Sequence, residues 1–379
     1  MNKQTVVFWW PDSVFNDVAW KKDPGSIPIE LKLLGYNVIL VVKKFNSSIN
    51  PQKLEIIETF DTRRKSNSAT NLIDKLRSAI SMLKTIHIYN PKAIIIEGDH
   101  AEGVLFALLL RICSPIILVS RLKLILMMDA NPELVKIRNK SSVSVFYRTL
   151  YSFLFDRITT QTQCGYTELV RPKPISKYRY KYAVTSLGCS LERAKSQDDI
   201  KVKRYNRILS VGRISYQKGY DLLIRLFAKI VDRFPDWELW IVGLSDDEIY
   251  MKSLLKEITE LNLCNSVKLF TNLNEDQLAR EYEEASIFCL LSRYGSFEIA
   301  RVEAINFGLP IVITEAACGI QYKNFGSFVC NIEDYECIIN SLATLISNKY
   351  LRLKISEKQK EAIITWYDVA MKFSELIES

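Results

Sequence analysis

A chain of 379 residues is longer than one typical domain and long enough for two. Its 48% hydrophobic and 25% charged residues are the make-up of a folded globular protein and exclude disorder as the default. The net charge of +8 is polarised: residues 1–190 hold 27 Lys and Arg against 15 Asp and Glu, a net +12, which leaves −4 for residues 191–379.

In chain order, the first segment, TVVFWW (5–10), reads as a strand and is followed by a loop containing Pro24 and Gly25. IPIELKLLG (27–35) has helical spacing and stops at Gly35, and the β-branched run YNVILVVKK (36–44) is the next strand. A strand, a loop, a helix and a second strand open a parallel sheet. Residues 69–89 read as a helix, KAIIIEG (92–98) as a buried strand, and LKLILMMDA (122–130) as another. The most apolar stretch, 104–128, is broken by Arg111, Pro115, Arg121 and Lys123. A membrane span needs about 20 mostly apolar residues, so a buried helix plus a strand is expected here. VFYRTLYSFLF (145–155) is an amphipathic aromatic helix, and DRITTQT (156–162) the strand after it.

The polar segment 190–206 reads as a linker, after which a second alternating series begins. RILSVGR (207–213), ELWIVG (238–243), SVKLF (266–270), IFCLLS (287–292) and LPIVIT (309–314) are strands. Helices at 220–235, 248–263, 275–285 and 297–308 separate them. Such alternation means a parallel α/β sheet. The expected fold class is α/β, with two Rossmann-like parallel-sheet domains facing a cleft. Residues 1–190 form the first and 205–356 the second, and a C-terminal helix at about 357–379 packs back on the first. Ligands in such sheets bind at the C-terminal ends of the strands.

Eight cysteines form no C-x-x-C pair, and only two histidines are present. Clustered zinc ligation is therefore not expected, and scattered cysteines predict reduced, mostly buried thiols. The start, MNKQTVVFWWPDS, lacks the long apolar core of a secretory signal, so a cytoplasmic location is expected.

Two segments carry chemistry. In SVGRISYQKGYDLL (210–223) a strand ends at Gly212, and Arg213 and Lys218 flank a loop that opens a helix. A planar cationic fork, a point charge and free helix N–H groups together suit a diphosphate; each cation alone reads as ordinary surface. In SRYGSFEIARVEAINFGLPIVIT (292–314) a strand runs through a turn at Gly295 into a helix from Phe297, with Glu298 in its first turn and Glu303 further along. A carboxylate at Glu303 can accept paired hydroxyl hydrogen bonds, as a ribose offers; a lone glutamate on a helix is more commonly solvated.

Taken together, these residues resemble the retaining GT-B glycosyltransferases of the glycogen-synthase and mannosyltransferase superfamily. Gly212, Arg213, Lys218 and Gly219 stand at the spacing of the family's G-R-x-x-x-x-K-G. Ser292, Phe297, Glu303, Ala304, Gly308, Pro310 and Val312 follow its S-x-x-E-G-F-G-x-x-x-x-E-A and G-x-P motifs. The resemblance covers most of 205–350. It implies that Arg213 and Lys218 hold the diphosphate of a nucleotide-sugar donor, beside Gly212, and that backbone amides near Ile299 and Ala300 face the phosphates. It also implies that Glu303 binds the ribose and that Leu269, Phe270 and Thr271 lie near the base. No cofactor or essential metal is implied, the nucleotide-diphosphate sugar being a co-substrate.

Two departures bear on the catalytic set. Gly295 stands where the family has the first of two glutamates eight apart, and Glu298 stands where it has a glycine. Glu298 is a candidate replacement for the missing carboxylate. The family's usual N-domain histidine is absent, with Asp129 in its place and His100 ending the preceding strand; these two are the remaining catalytic candidates. Gly25 and Ser26 are candidates for an acceptor-side loop. The expected function is transfer of a sugar, a hexose by preference, to a glycan or lipid-linked acceptor in cell-surface polysaccharide or glycoconjugate synthesis. The basic first half, with RPKPISKYRYKY (171–182) and the aromatic helix 145–155, suits an anionic membrane surface. A catalytically inactive nucleotide-sugar-binding protein on the same fold is the second reading. A nucleic-acid partner has no motif to support it.

Overall fold

The computed structural model describes residues 3–59, 68–117, 122–189, 204–245, 247–295 and 297–379. The linker read at 190–206 lies mostly outside the described residues. The chain divides into two units: residues 1–188 with 364–379, and residues 189–363.

Unit 1 is built on seven parallel strands. They are β1 (Thr5–Phe15), β2 (Asn37–Phe45), β3 (Glu55–Glu58), β4 (Ala93–Glu97), β5 (Lys123–Met128), β6 (Arg157–Thr160) and β7 (Tyr182–Val184), in the order β3-β2-β1-β4-β5-β6-β7. Among the described residues the α-helices of this unit up to residue 188 are α1 (Asp23–Leu33), α2 (Ser68–Tyr89), α3 (Ala101–Ile117), α4 (Pro132–Arg138), α5 (Ser142–Leu154), α6 (Gln163–Val170) and α7 (Lys173–Ser176). The central strands are buried on both faces, so their sequences read as continuous apolar runs rather than as alternation.

Pro24, Gly25 and Ser26 lie in the first turn of α1 rather than in a loop. Proline is tolerated in a first turn, where its missing N–H has no intrahelical partner. Gly25 is required because a Cβ there would come within 2.5 Å of the Ala19 carbonyl oxygen. Strand β1 runs on to Phe15, its register slipping between Trp10 and Val14. Strands β3 and β7 had no clear sequence signal, being short and only partly buried. The apolar stretch 104–128 divides into α3 and β5, and among the described residues no helix is long and apolar enough to cross a membrane.

Unit 2 has six parallel strands: β8 (Arg207–Val211), β9 (Glu238–Val242), β10 (Val267–Phe270), β11 (Ile287–Leu290), β12 (Ile311–Thr314) and β13 (Phe328–Cys330). Their order is β10-β9-β8-β11-β12-β13. The helices are α8 (Tyr220–Val231), α9 (Glu248–Glu260), α10 (Glu275–Glu284), α11 (Ile299–Asn306), α12 (Tyr335–Ser347) and α13 (Lys349–Gln359). Helix α8 buries Leu223, Phe227 and Ile230 against the sheet, a stripe at helical spacing. Cys330 and Cys337 form a disulfide with Cα atoms 5.9 Å apart, which corrects the expectation of reduced thiols throughout. The short turn from β13 into α12 brings the two together.

The last helix, α14 (Trp366–Glu378), belongs to unit 1. It buries Trp366, Val369, Ala370, Phe373 and Ile377, and the Tyr36 and Ser374 hydroxyls meet at 2.8 Å. Gly188 permits its close approach, since a Cβ there would lie 2.5 Å from the Trp366 nitrogen.

Candidate functional site

In unit 2, strand β8 delivers Gly212 to the C-terminal edge of the sheet. Its N–H donates to the Val242 carbonyl at 3.0 Å. A Cβ on Gly243 would stand 1.8 Å from the Gly212 oxygen, so only glycine fits beside it. The loop then passes exposed Arg213 and a short turn at Tyr216–Lys218 and enters α8 through Gly219. Gly219 has φ of 70° and a would-be Cβ 2.1 Å from the Leu291 oxygen. Both the backbone angle and the space therefore demand glycine.

This loop is stitched to the one that follows β11. Arg293 N–H donates to the Gln217 carbonyl at 2.8 Å, and Gln217 Nε2 donates to the Tyr294 carbonyl at 2.9 Å. The Arg293 fork meets both Asp221 oxygens at 2.8 Å each, and its Nη1 also donates to the Tyr216 carbonyl at 2.6 Å. Tyr250 OH adds a bond to Asp221 Oδ1 at 2.8 Å. Burial pushes the Asp221 carboxyl up, but the Arg293 fork and the Tyr250 hydroxyl outweigh it and hold it below the usual carboxylate range.

At the centre lies Glu298. It caps α11 rather than sitting in its first turn, because the helix begins at Ile299. Its side chain is 3% exposed, and Oε1 accepts from Lys218 Nζ at 2.8 Å and from Ser292 Oγ. A Cβ placed on Gly295 would stand 3.9 Å from the same oxygen. The Glu298 carboxylate thus lies beside the position where a side chain at 295 would begin.

Ile299 and Ala300 form the first turn of α11, where N–H groups precede any intrahelical acceptor. Glu303 lies on the same helix and accepts from Tyr282 OH at 3.0 Å. Arg301, fully buried, donates from Nη2 to the Ala317 carbonyl at 3.0 Å and covers the Tyr322 ring at 4.3 Å. Leu269 and Phe270 end β10, Thr271 follows, and Phe270 packs on Trp240 at 4.7 Å between centroids. Unit 2 therefore gathers Gly212, Lys218, Ser292 and Glu298 through two joined loops. The Arg293–Asp221 clamp had no sequence signal, since neither residue belongs to a recognised motif.

The other candidates belong to unit 1. Asp129 follows β5 and is exposed, and His100 immediately precedes α3. Gly98, with φ of 86°, has a would-be Cβ 2.2 Å from His100 Nε2, so glycine there lets the imidazole fold over the turn. Ser26 is spent internally, its hydroxyl donating to the Trp20 carbonyl at 3.1 Å. Asp23, missed in the sequence, opens α1 near Asp129 and Gln161. Burial first, and then the Asp129 charge, push its carboxyl up to about 6. Among the described residues no group of three or more His, Cys, Asp and Glu is placed to hold a metal ion.

Two parallel sheets with these loops in the second define a protein of GT-B architecture. Residues 192–362 match the family of glycosyl transferases group 1. An uncharacterized glycosyltransferase of Haemophilus influenzae is 34% identical over 157 residues, 40% of this chain and 43% of that protein. The amylovoran biosynthesis glycosyltransferase AmsD of Erwinia amylovora is 24% identical over 161 residues, 42% of this chain and 44% of its own. The chain thus spans less than half the length of these relatives. Among solved structures, HepE of Anabaena in complex with UDP is 15% identical with a TM-score of 0.72, covering 99% of this chain and 100% of its own. This last likeness is one of fold.

Proposed function

We propose that the chain is a retaining glycosyltransferase that moves a sugar, a hexose by preference, from a nucleoside diphosphate to a hydroxyl of a glycan or lipid-linked acceptor. Cell-surface polysaccharide or glycoconjugate synthesis is the process such an activity serves. One observation carries the reading: Lys218 and Glu298 are held together between two interlocked loops, at the strand ends where α/β sheets bind ligands. In this proposal Arg213, Lys218 and the amides of Ile299 and Ala300 receive the diphosphate, and Glu303 receives the ribose. As the sugar–phosphate bond breaks, negative charge builds on the leaving diphosphate, and preorganised cations and amides stabilise it without moving. No essential metal is required for that role. Glu298 supplies the carboxylate that Gly295 lacks. On the acceptor side, Asp129 and His100 orient the incoming hydroxyl, with Gly25 and Ser26 shaping the start of α1.

The location belongs to the proposal as well: cytoplasmic, with unit 1 peripheral on an anionic membrane face. The Cys330–Cys337 disulfide does not speak for that compartment, because a reducing cytosol disfavours disulfides. A thermal-shift screen of UDP, GDP, ADP and their sugars tests the donor claim. A nucleotide at 100 times its dissociation constant stabilises by about 2.7 kcal/mol, and no shift with any of them refutes the reading. One observation favours the second reading, a catalytically inactive binding protein: Gly295 itself. That reading expects nucleotide-sugar binding without donor hydrolysis or transfer.

A further inference from the structure

Helices α4 and α5 and the end of β5 enclose a cavity of about 340 Å³ wholly within unit 1, at the lower end of the range for small-molecule sites. Its wall includes Arg138, Ser144, Arg148, Asp99 and Asp129. Arg148 is the unusual member, because only 6% of it is exposed. Its Nη2 donates to Asn139 Oδ1 at 2.7 Å and its Nε to the Ser144 carbonyl at 3.3 Å. Nη1 has no hydrogen-bond partner, and among the described residues no carboxylate is bonded to Arg148. A buried guanidinium with unspent donors is costly unless an acceptor arrives.

The surroundings fit one kind of acceptor atom. Burial, and Arg138 nearby, both push the Arg148 guanidinium down, so a bound anion relieves desolvation and like-charge repulsion together. The N-terminus of the 13-residue helix α5 opens on the same cavity through Ser141, Val143 and Ser144, and its free N–H groups and dipole favour negative charge. Asp99 and Asp129 line the cavity too, and carboxylates there accept from hydroxyls while disfavouring a bare anion.

We propose that this cavity binds a polyhydroxy compound through an anionic substituent, a phosphate or a carboxylate, held by Arg148, Arg138 and the N-terminus of α5, with its hydroxyls on Asp99 and Asp129. The glycosyltransferase reading is needed only to name this compound the acceptor; the anion site stands on unit 1 alone.

Isothermal titration of the full chain with glucose 6-phosphate, glucuronate and methyl glucoside tests it. One or both anionic sugars bind, roughly tenfold or more tighter than methyl glucoside, and whichever binds identifies the substituent as phosphate or carboxylate. Arg148→Gln and the exposed Arg138→Gln each weaken that binding by roughly tenfold. No binding of either anionic sugar at millimolar concentration, no preference over methyl glucoside, or unchanged affinity in both variants overturns the proposal. Titration of the same samples with UDP, GDP and ADP reads the donor side separately. A failure there sinks the transferase reading and leaves the anion result to stand or fall on its own.

Discussion

Lys218 and Glu298, eighty positions apart in the chain, form a nearly buried ion pair at 2.8 Å, and Ser292 holds the same carboxylate oxygen. An ammonium has three donors. One is engaged by Glu298, which leaves two that can meet phosphate oxygens without the pair breaking. In the proposed donor site Glu298 would therefore aim Lys218 without competing with a ligand for it.

Lys218→Ala should weaken nucleoside diphosphate binding by about 1.5–3 kcal/mol, the worth of a charge-assisted contact. It should also lower stability by a few kcal/mol, because Glu298 is left buried and unpaired. The double variant Lys218→Ala/Glu298→Gln should recover much of the stability and none of the affinity. Calorimetric titration and thermal melts on the same proteins separate the two effects. A double variant that regains affinity would show that Lys218 is structural only.

Glu298→Gln keeps the shape and removes the charge. Sugar transfer should slow by at least tenfold, of the order expected for one polar active-site group, while nucleoside diphosphate affinity is kept or rises. Steady-state kinetics beside a UDP, GDP and ADP titration checks this. Wild-type turnover would reduce Glu298 to a structural partner of Lys218 and Ser292.

How much was legible in the sequence depends on the kind of signal. Strands β8 to β12 of unit 2 and the positions of Gly212, Lys218 and Gly219 were readable, because buried strands give unbroken apolar runs and tight backbone approaches demand glycine, whereas the short, partly buried β13 gave no such run. The start of α1 was not, because Pro24 and Gly25 are turn residues by local chemistry and helix residues only once Trp20 packs beneath them. Arg148 is a second such case. An arginine in an amphipathic aromatic helix is expected on the solvent face, yet it is buried, since α5 turns Arg148 and Leu154 inward and leaves Phe146 outside. Which of two faces is buried is set by neighbouring helices, and spacing does not name them.

Glu303 accepts from Tyr282 OH at 3.0 Å, and the Tyr282 ring stacks on Phe307 at 5.2 Å. If Glu303 is the ribose ligand, Glu303→Ala should weaken nucleoside monophosphate and diphosphate by the same factor, roughly tenfold. Tyr282→Phe should give a smaller loss in both, through a less constrained carboxylate. Titrations with both nucleotides decide it. Intact monophosphate binding in Glu303→Ala removes the ribose role.

Asp23 should make the native state sensitive to pH. Its carboxyl is raised to about 6, first by burial and then by Asp129. Between about pH 4 and pH 6 the native state thus holds a proton that the unfolded chain has released, so stability is highest below that window and falls as pH rises through it. The loss is on the order of 2 kcal/mol for a partly buried group. Asp23→Asn should flatten the wild-type decline in melting temperature between pH 4 and 7. Parallel slopes for the two proteins would mean that Asp23 titrates normally.

The membrane claim rests on what unit 1 leaves uncovered. Helices α4 and α5 expose Ile137 at 63%, Val143 at 66% and Phe146 at 67%. Lys136, Arg138 and Lys140 are exposed beside them. On the same helix Tyr147 and Phe153 are also exposed, whereas Leu154 and Phe155 are buried and Tyr182, at the end of the basic segment, forms β7. The exposed set omits Leu154, Phe155 and Tyr182, but it combines apolar side chains with cations, as docking on an anionic membrane face would need. Each cation near an anionic surface is worth about 1 kcal/mol and is screened by salt, whereas apolar insertion is not. The full chain should co-sediment with vesicles of anionic lipid and not with neutral ones, and should release as salt rises. Phe146→Ser should weaken binding at every salt concentration, while Lys136→Gln and Lys140→Gln should weaken it mainly at low salt. Absence of binding to anionic vesicles at low salt would overturn membrane docking and favour an acceptor met in solution.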